Sequence, residues 1–539
     1  LDGSTSFPVS PNHPAYLGRN LKQTIMKLRF LILSTVYLFP VFLLAQPNAM
    51  NAYFEELGRL RQHNGNILVA DNGSPVIDFS SGYADFGALR PNTSASLFNL
   101  ASISKVITAT AVLQLRDKGR FSLNDPVTQH LPDFPYTGVR ICHLLTHTSG
   151  LPDLELFEAL VKSHPDTIIT NRNVLPELRC WKGGLYFKPG DQFRYCNTEY
   201  NLLALLVEKA GGMPFYSYLK KYIFGPAGMK DTYLVSPGSQ KADNLIALPQ
   251  MKPHPGYDTS FVVTDSLKRF RYLTYNNGGT TGQGNVMSTT ADILRFDQAY
   301  FNGKLLKTSS MAEAMTPVKL NNGTVCYALR MDTMEGEGKM TYGMGWEIFE
   351  QADFGRSVGH GGFKFGLATF YIHNLTNNQT IVGFDNTAGS EFGRFITSSL
   401  LLLNSKLPMP FRTSRSLVTL YGMSLVKEGA DHAAVVFNAH KADSKGYYLN
   451  EAEMNDLGYD LFYMSDIPGH REMALEVFKL ATFIFPESFN TYDSYGQLLR
   501  DSGKKQDAIL MYKKSIALNP DNEDGKRILS QLVKSMEDH

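Results

Sequence analysis

Leu100-Ala101-Ser102-Ile103-Ser104-Lys105-Val106-Ile107-Thr108-Ala109-Thr110-Ala111-Val112-Leu113 sets a serine three residues ahead of a lysine, at the start of an apolar run. On a helix, positions i and i+3 share a face, so the lysine amine stands beside the serine hydroxyl. A serine hydroxyl becomes a nucleophile when a neighbouring base takes its proton. A lysine in a dry pocket can be that base, because desolvation disfavours its charged form. The helix N-terminus adds free N–H groups and a positive dipole end, which suit an oxyanion. The spacing alone is weak. It recurs at Ser502-Gly503-Lys504-Lys505, which reads as a turn between helices with no chemistry.

The rest of the chain limits the possibilities. Its 539 residues suffice for two to four domains. With 43% hydrophobic and 19% charged residues it reads as globular, and a net charge of +1 supplies no basic surface for nucleic acid. Residues 26–45 read as a secretory signal: Met26-Lys27-Leu28-Arg29 is a basic start, Phe30 to Leu44 is apolar, and Ala45 precedes the cleavage point. An uncleaved signal is the sole membrane attachment expected. Residues 1–25 form an extra N-terminal segment outside the fold reading. Cys142, Cys180, Cys196 and Cys326 match no metal-site spacing, and free thiols are expected for most of them. No metal and no cofactor are expected, and a metal-dependent hydrolase ranks low.

Working outward, Asn66-Ile67-Leu68-Val69-Ala70 and Pro75-Val76-Ile77-Asp78-Phe79 flank Asn72-Gly73, a strong hairpin signal. Leu367–Ile372 and Thr380–Phe384 read as a second hairpin turning at Asn377-Asn378, and 391–403 as a helix. Strands at both ends with helices between predict an α+β fold: an antiparallel sheet flanked by helices, plus a helical subdomain, over residues 46–405. Residues 406–450 read as a linker with indistinct helices. In 451–539 a 34-residue period links Ala474 to Ala508, Phe478 to Tyr512, Ala481 to Ser515 and Pro486 to Pro520. This resembles tetratricopeptide repeats, an all-α module with a groove for a protein partner.

Three further signals follow Ser102 in order. His143-Leu144-Leu145-Thr146-His147-Thr148-Ser149-Gly150-Leu151-Pro152 is a helix end with a Gly and Pro stop, and both histidines read as packing residues. Phe187-Lys188-Pro189-Gly190-Asp191-Gln192-Phe193-Arg194-Tyr195-Cys196-Asn197 presents a short extended piece on which Tyr195 and Asn197 point the same way. A phenol beside a lysine ammonium is drawn toward phenolate. Val358-Gly359-His360-Gly361-Gly362-Phe363 carries glycines that let a backbone pass close to a ligand, and places the Phe363 N–H as a second oxyanion donor.

In this order, Ser102-x-x-Lys105, Tyr195-x-Asn197 and His360-Gly361-Gly362 resemble the serine beta-lactamase and penicillin-binding protein superfamily, in its class C-like branch. The stretches 144–152, 284–292 and 342–346 look like that group too. The resemblance implies that Ser102 is acylated and that Lys105 and Tyr195 share its proton, either one serving as base. It further implies that Asn197 holds Lys105 and the substrate amide, and that the N–H groups of Ser102 and Phe363 form the oxyanion hole. His360, Gly361, Gly362 and Phe363 are then expected to line the substrate. His360 departs from the lysine of many antibiotic-hydrolysing members, which favours esterases and D-peptidases over dedicated beta-lactamases. The expected substrate is a small ester or a D-amino-acid amide or peptide, with beta-lactams as further ligands. A catalytically silent scaffold that binds partners through its repeats is the alternative.

Overall fold

The computed structural model describes residues 49–235, 244–326, 339–351 and 354–537. The expected signal at 26–45 and the segment 1–25 lie outside them. Seven strands form one antiparallel sheet: β1 (Gly65–Asp71), β2 (Ser74–Ser81), β3 (Lys339–Tyr342), β4 (Glu347–Gln351), β5 (Gly355–Lys364), β6 (Leu367–Asn374) and β7 (Gln379–Asp385). Their spatial order is β3-β4-β5-β6-β7-β1-β2. The two hairpins expected from the sequence are β1–β2 and β6–β7, and they adjoin: β1 pairs with β7 from Gly65↔Asp385 to Asp71↔Gln379. Asn72 and Gly73 both take positive φ, as a tight hairpin turn requires.

β1 shows why the sheet has two covered faces. Ile67 and Val69 pack into a cluster with Tyr53, Leu57, Phe395 and Ile396 from helices at 49–60 and Phe392–Leu403. Leu68 and Ala70, alternating with them, pack on Leu294 on the other side. A strand buried on both faces reads as a near-continuous apolar run, which Ile67-Leu68-Val69-Ala70 is.

Four helices frame the region around Ser102. They are α1 (Ser104–Asp117), α2 (Asn197–Gly211), α3 (Thr290–Phe301) and α4 (Phe392–Leu403). Every residue of α1 from Ser104 to Leu115 is buried. A helix buried on all sides lies in the middle of a core, and α1 sits against α2 and the loop at 342–346. The Thr289 hydroxyl accepts the Asp292 N–H and caps α3.

The C-terminal helices are α5 (Leu417–Glu428), α6 (Ala430–His440), α7 (Glu451–Tyr459), α8 (His470–Ile484), α9 (Phe489–Asp501), α10 (Lys505–Leu518) and α11 (Glu523–Glu537). They form a helical repeat module. Ala474, Phe478 and Ala481 on α8, and Ala508, Tyr512 and Ser515 on α10, are all buried. A Cβ on Gly458 would meet the Phe478 ring, and one on Gly496 would meet the Tyr512 ring at 3.2 Å, so the aromatic position of each repeat packs on a glycine of the preceding helix. The module begins earlier than the sequence reading has it. Leu417, Tyr421, Leu425 and Phe437 share one core with Met454, Leu457, Phe478 and Leu498, so α5 and α6 belong to it and not to a linker. The Ser502-Gly503-Lys504-Lys505 copy of the serine–lysine spacing is the turn between α9 and α10 with the first residue of α10, and Gly503 is at φ +77°.

The module is joined to the sheet domain through residues 254–257. Tyr257 lies in the module core, and the His254 Nδ1 stands 2.8 Å from the Asp460 carboxylate. Because Phe478 is 0% exposed, Phe478→Ala should destabilise the module by roughly 3–5 kcal/mol. Urea unfolding followed by circular dichroism measures this; a loss below about 1 kcal/mol would remove Phe478 from the core.

Candidate active site

Ser102 sits in the single 3-10 turn Ala101–Ile103 that leads into α1. Ala101 precedes it at φ +46°, a left-handed conformation that costs an alanine about 1 kcal/mol. The Ala101 N–H is held by Asn99 Oδ1 at 2.9 Å. The turn leaves Ser102 partly exposed while its neighbours Ala101 and Ile103 are buried.

Lys105, 0% exposed, donates from Nζ to Ser102 Oγ at 3.0 Å, Asn197 Oδ1 at 2.9 Å and the Gln283 carbonyl at 3.1 Å. The last contact depends on Gly282, at φ +95°. A Cβ there would stand 2.2 Å from the Tyr200 carbonyl oxygen, so glycine lets the bend at 282–284 lie against α2, where the Thr108 hydroxyl of α1 donates to the Gly282 carbonyl. Burial lowers the Lys105 pKa to about 7, opposed by the nearby acids Asp153, Glu347 and Glu199. A neutral amine has two protons and one lone pair. Asn197 and Gln283 can accept the two protons, which turns the lone pair toward the Ser102 hydroxyl.

Asn197 is the first residue of α2, and Cys196 before it is extended at φ −143°. Tyr195 and Asn197 therefore reach the site from a strand-like end and a helix start, where the sequence reading places both on one extended piece. Lys105 Nζ lies 4.7 Å from the centre of the Tyr195 ring. Asp153 sets the Asn197 amide: its Oδ1 accepts the Asn197 N–H at 2.6 Å and its Oδ2 accepts Nδ2 at 3.1 Å, which leaves Asn197 Oδ1 for the lysine. Burial raises the Asp153 pKa, partly offset by these bonds and by Lys105.

Strand β5 forms the opposite wall. A Cβ on Gly362 would stand 2.6 Å from the Leu100 carbonyl oxygen and 3.0 Å from the Ser102 nitrogen, so the glycine lets the strand lie against the Ser102 turn. Pairing with β4 stops at Glu347↔Gly359, and residues 360–364 continue past it, paired on the other side with β6. A cleft of about 630 Å³ opens over Ser102, Tyr195 and Asn197, bounded by Tyr342, Phe363 and Leu273.

A family profile described as Beta-lactamase matches residues 50–403. The chain belongs to the beta-lactamase family. The chain is 36% identical to a penicillin-binding protein of Bacillus subtilis over 62% of its length and 71% of the relative's. The penicillin-binding protein structure from Bacillus halodurans superposes with a TM-score of 0.53 at 25% identity, covering 64% of this chain and 99% of the other. The D-amino acid amidase of Ochrobactrum anthropi shares the fold, with a TM-score of 0.51 at 23% identity over 66% of this chain and 97% of that one. The matched span ends at the helical module.

Two features of this beta-lactamase-family site differ from the sequence reading. His360 is 1% exposed and does not line the cleft. Its Nδ1 faces the Gly361 carbonyl at 2.6 Å, which can only accept, so Nδ1 carries the proton; Nε2 then accepts from the Tyr342 hydroxyl at 3.0 Å. Gly361 and Gly362 lie behind the wall, and only Phe363 of that stretch faces the cleft. His147 also has a place at the site. Its ring packs 4.3 Å from that of Tyr195, and Nδ1 lies 2.5 Å from the buried Glu199 carboxyl. Burial raises the Glu199 pKa well above the usual range and drives that of His147 well below its own, so the pair is a carboxylic acid donating to a neutral imidazole. His143 stands four residues before His147, a spacing that can hold zinc on one helix, but the helix ends at Leu145. No group of three metal-ligating side chains gathers among the described residues. All four cysteines are unpaired.

The sequence reading missed Asp153, Glu199 and Gln283. The one usable signal was Asp153 itself, an acid directly after the Gly150-Leu151-Pro152 stop. With the Lys105 amine titrating at about 7, Ser102 acylation by a fluorophosphonate should rise about tenfold per pH unit below that point and level off above it. Asp153→Asn removes a charge that favours the ammonium, so the midpoint should move to lower pH. Stopped labelling across pH 5–9 measures both, and a midpoint that rises or stays fixed would contradict this arrangement.

Proposed function

We propose that this chain is a serine hydrolase that cleaves small esters or D-amino-acid amides and peptides through a Ser102 acyl-enzyme. The observation that carries the reading is the 3.0 Å contact between Lys105 Nζ and Ser102 Oγ inside a buried, charge-suppressing pocket. A silent scaffold has no need to keep an amine there, since a buried lysine is costly unless it works.

In the acylation step the Ser102 Oγ–H proton passes to the Lys105 amine or the Tyr195 oxygen. Oγ bonds to the substrate carbonyl carbon. The carbonyl oxygen takes the negative charge between the N–H groups of Ser102 and Phe363, where preorganised donors are worth about 3–4 kcal/mol each. The tetrahedral centre collapses, and the leaving oxygen or nitrogen takes the stored proton. Water then attacks the ester carbonyl by the same route in reverse, releasing the acid and restoring Ser102. Asn197 orients Lys105 and the substrate amide throughout.

Export by the signal at 26–45 and a protein partner on the C-terminal module are further parts of this proposal. The partner reading is supported by a set of paired helices with the period of tetratricopeptide repeats. The relatives' names bring beta-lactams in as acylating ligands.

The test is labelling by a fluorescent fluorophosphonate and a fluorescent penicillin, followed by turnover of p-nitrophenyl esters, D-alanine amides and nitrocefin. Ser102→Ala should label at less than about one hundredth of the parent rate. Esters or D-amides should turn over faster than nitrocefin. Equal labelling of Ser102→Ala would overturn the reading.

A further inference from the structure

The cleft over Ser102 has two unlike ends, and Tyr195 tells them apart. Lys105 is 0% exposed and does not line the cleft, whereas Tyr195 does. A departing oxygen or nitrogen needs a proton donor within reach, so it leaves on the Tyr195 side. That side is marked by Tyr342 and His360, whose rings lie 6.5 Å and 6.2 Å from the Tyr195 ring. The reacting carbonyl sits between the N–H groups of Ser102 and Phe363. The acyl part of the substrate therefore extends the other way, past Phe363 and the end of β5.

That end is apolar. Phe363 is 53% exposed and Leu273 is 40% exposed, although both are large apolar side chains. The Phe363 ring meets that of Phe365 edge-on with centres 5.9 Å apart, and Phe365 stacks on Phe270 at 3.9 Å. Phe363, Phe365 and Leu273 all line the cleft, and Leu154, whose carbonyl accepts from the Tyr272 hydroxyl, continues the wall. The shelf is held firmly. Gly366 turns the chain at φ +74°, and a Cβ there would stand 2.4 Å from Thr264 Oγ1 and 2.7 Å from the Gln250 nitrogen. The stretch that leads to Phe270 and Leu273 is thus pressed against the end of β5. A fixed, solvent-open aromatic surface beside a nucleophile suits an apolar ligand group.

The charged side chains that line the cleft are already engaged. Arg194 donates from Nη2 to Glu155 Oε1 at 3.1 Å, and its guanidinium lies 4.1 Å from the centre of the Tyr186 ring. Lys364 donates from Nζ to Asn285 Oδ1 at 2.6 Å, and the Asp265 carboxylate supplies a nearby opposite charge. Glu347 Oε2 accepts the Gly361 N–H at 2.9 Å, before β5 reaches Ser102. A charged acyl group would have to displace one of these contacts. An apolar one displaces only water.

We propose that the cleft selects esters and amides of acids that carry a neutral apolar group, aromatic or branched, which lies on the Phe363–Phe365 shelf against Leu273. This rests on the acyl-enzyme reading and adds the acyl specificity to it. Leu273 and Phe365 then determine specificity and take no part in the proton transfers.

The test holds the leaving group constant. The p-nitrophenyl esters of 3-phenylpropanoate, acetate and hemisuccinate are compared, each kcat/KM being divided by that ester's rate of hydrolysis by hydroxide. The parent should prefer the phenylpropanoate to the acetate by about tenfold or more, as the burial of a phenyl group implies. Hemisuccinate should do no better than acetate. Leu273→Lys and Phe365→Ala should each cut the phenylpropanoate preference by about threefold or more and leave the acetate rate within about twofold. Leu273→Lys should also raise hemisuccinate relative to acetate. Phe365→Leu serves if the alanine variant does not fold. A parent ratio within about twofold of unity, or variants that keep the parent ratio, would overturn the proposal. Fluorophosphonate labelling of Ser102 in the parent separates the two levels: labelling without acyl preference overturns only this inference, and no labelling overturns the acyl-enzyme reading beneath it.

Discussion

One buried amine organises the molecule. Lys105 lies in the middle of the core, on a helix with no solvent-facing side from Ser104 to Leu115, and its Nζ meets Ser102, Asn197 and Gln283. Lowering a lysine pKa from 10.5 to about 7 disfavours the ammonium by roughly 5 kcal/mol. The fold bears that cost by assembling acceptors from three stretches, two of them distant in the chain. α2 supplies Asn197, the glycine-threaded segment at 282–283 supplies a carbonyl, and the nucleophile turn supplies the hydroxyl. The sheet holds these pieces together, because β5 presses on the turn at Gly362 and the 342–346 loop presses on α1. A Cβ on Gly345 would meet Ala109 at 2.7 Å.

Around the amine stands a shell of neutralised or satisfied polar groups. Asp153 fixes the Asn197 amide. Glu199 and His147 share a proton in an uncharged pair behind Tyr195, with Ser149 Oγ 2.5 Å from the other Glu199 oxygen. His360 and Tyr342 close the far side. None of these needs to touch substrate. Their common effect is to hold Tyr195, Asn197 and Lys105 in one arrangement in a low-dielectric pocket, where directed dipoles act most strongly. Arg194, Glu347 and Lys364 are charged residues that line the cleft.

The parts of this arrangement that were legible in the sequence are the local ones. Alternation around Asn72-Gly73 and the apolar run after Ser102 announce a hairpin and a buried helix, since each pattern is complete within a short window. The order of Ser102, Lys105, Tyr195 and Asn197 pointed to one site. The direction from which Asn197 arrives was not legible, because a carboxylate 44 residues away caps that helix start. The burial of His360 was hidden for the same reason: its partner Tyr342 comes from a strand two places across the sheet. Glu347 follows Trp346 with nothing nearby to say which face it takes. The first helical repeat was obscured by a π-helical stretch, Asp460–Met464, between its glycine and its aromatic residue. That stretch lengthens the spacing from Gly458 to Phe478 relative to Gly496 and Tyr512.

The helical module reaches back into the sheet domain through His254, Gly256 and Tyr257. From there the chain runs directly into the residues that border the cleft, Leu273 and Asn277. The catalytic claim, however, depends on the charge state of one side chain and can be read without any substrate. A titration of Lys105 by carbon NMR, with 13C placed at its Cε, measures that state directly. The account predicts a transition near 7, well below the value of about 10.4 for a lysine in a model peptide. A Lys105 resonance that titrates near the model-peptide value of about 10.4 would contradict it.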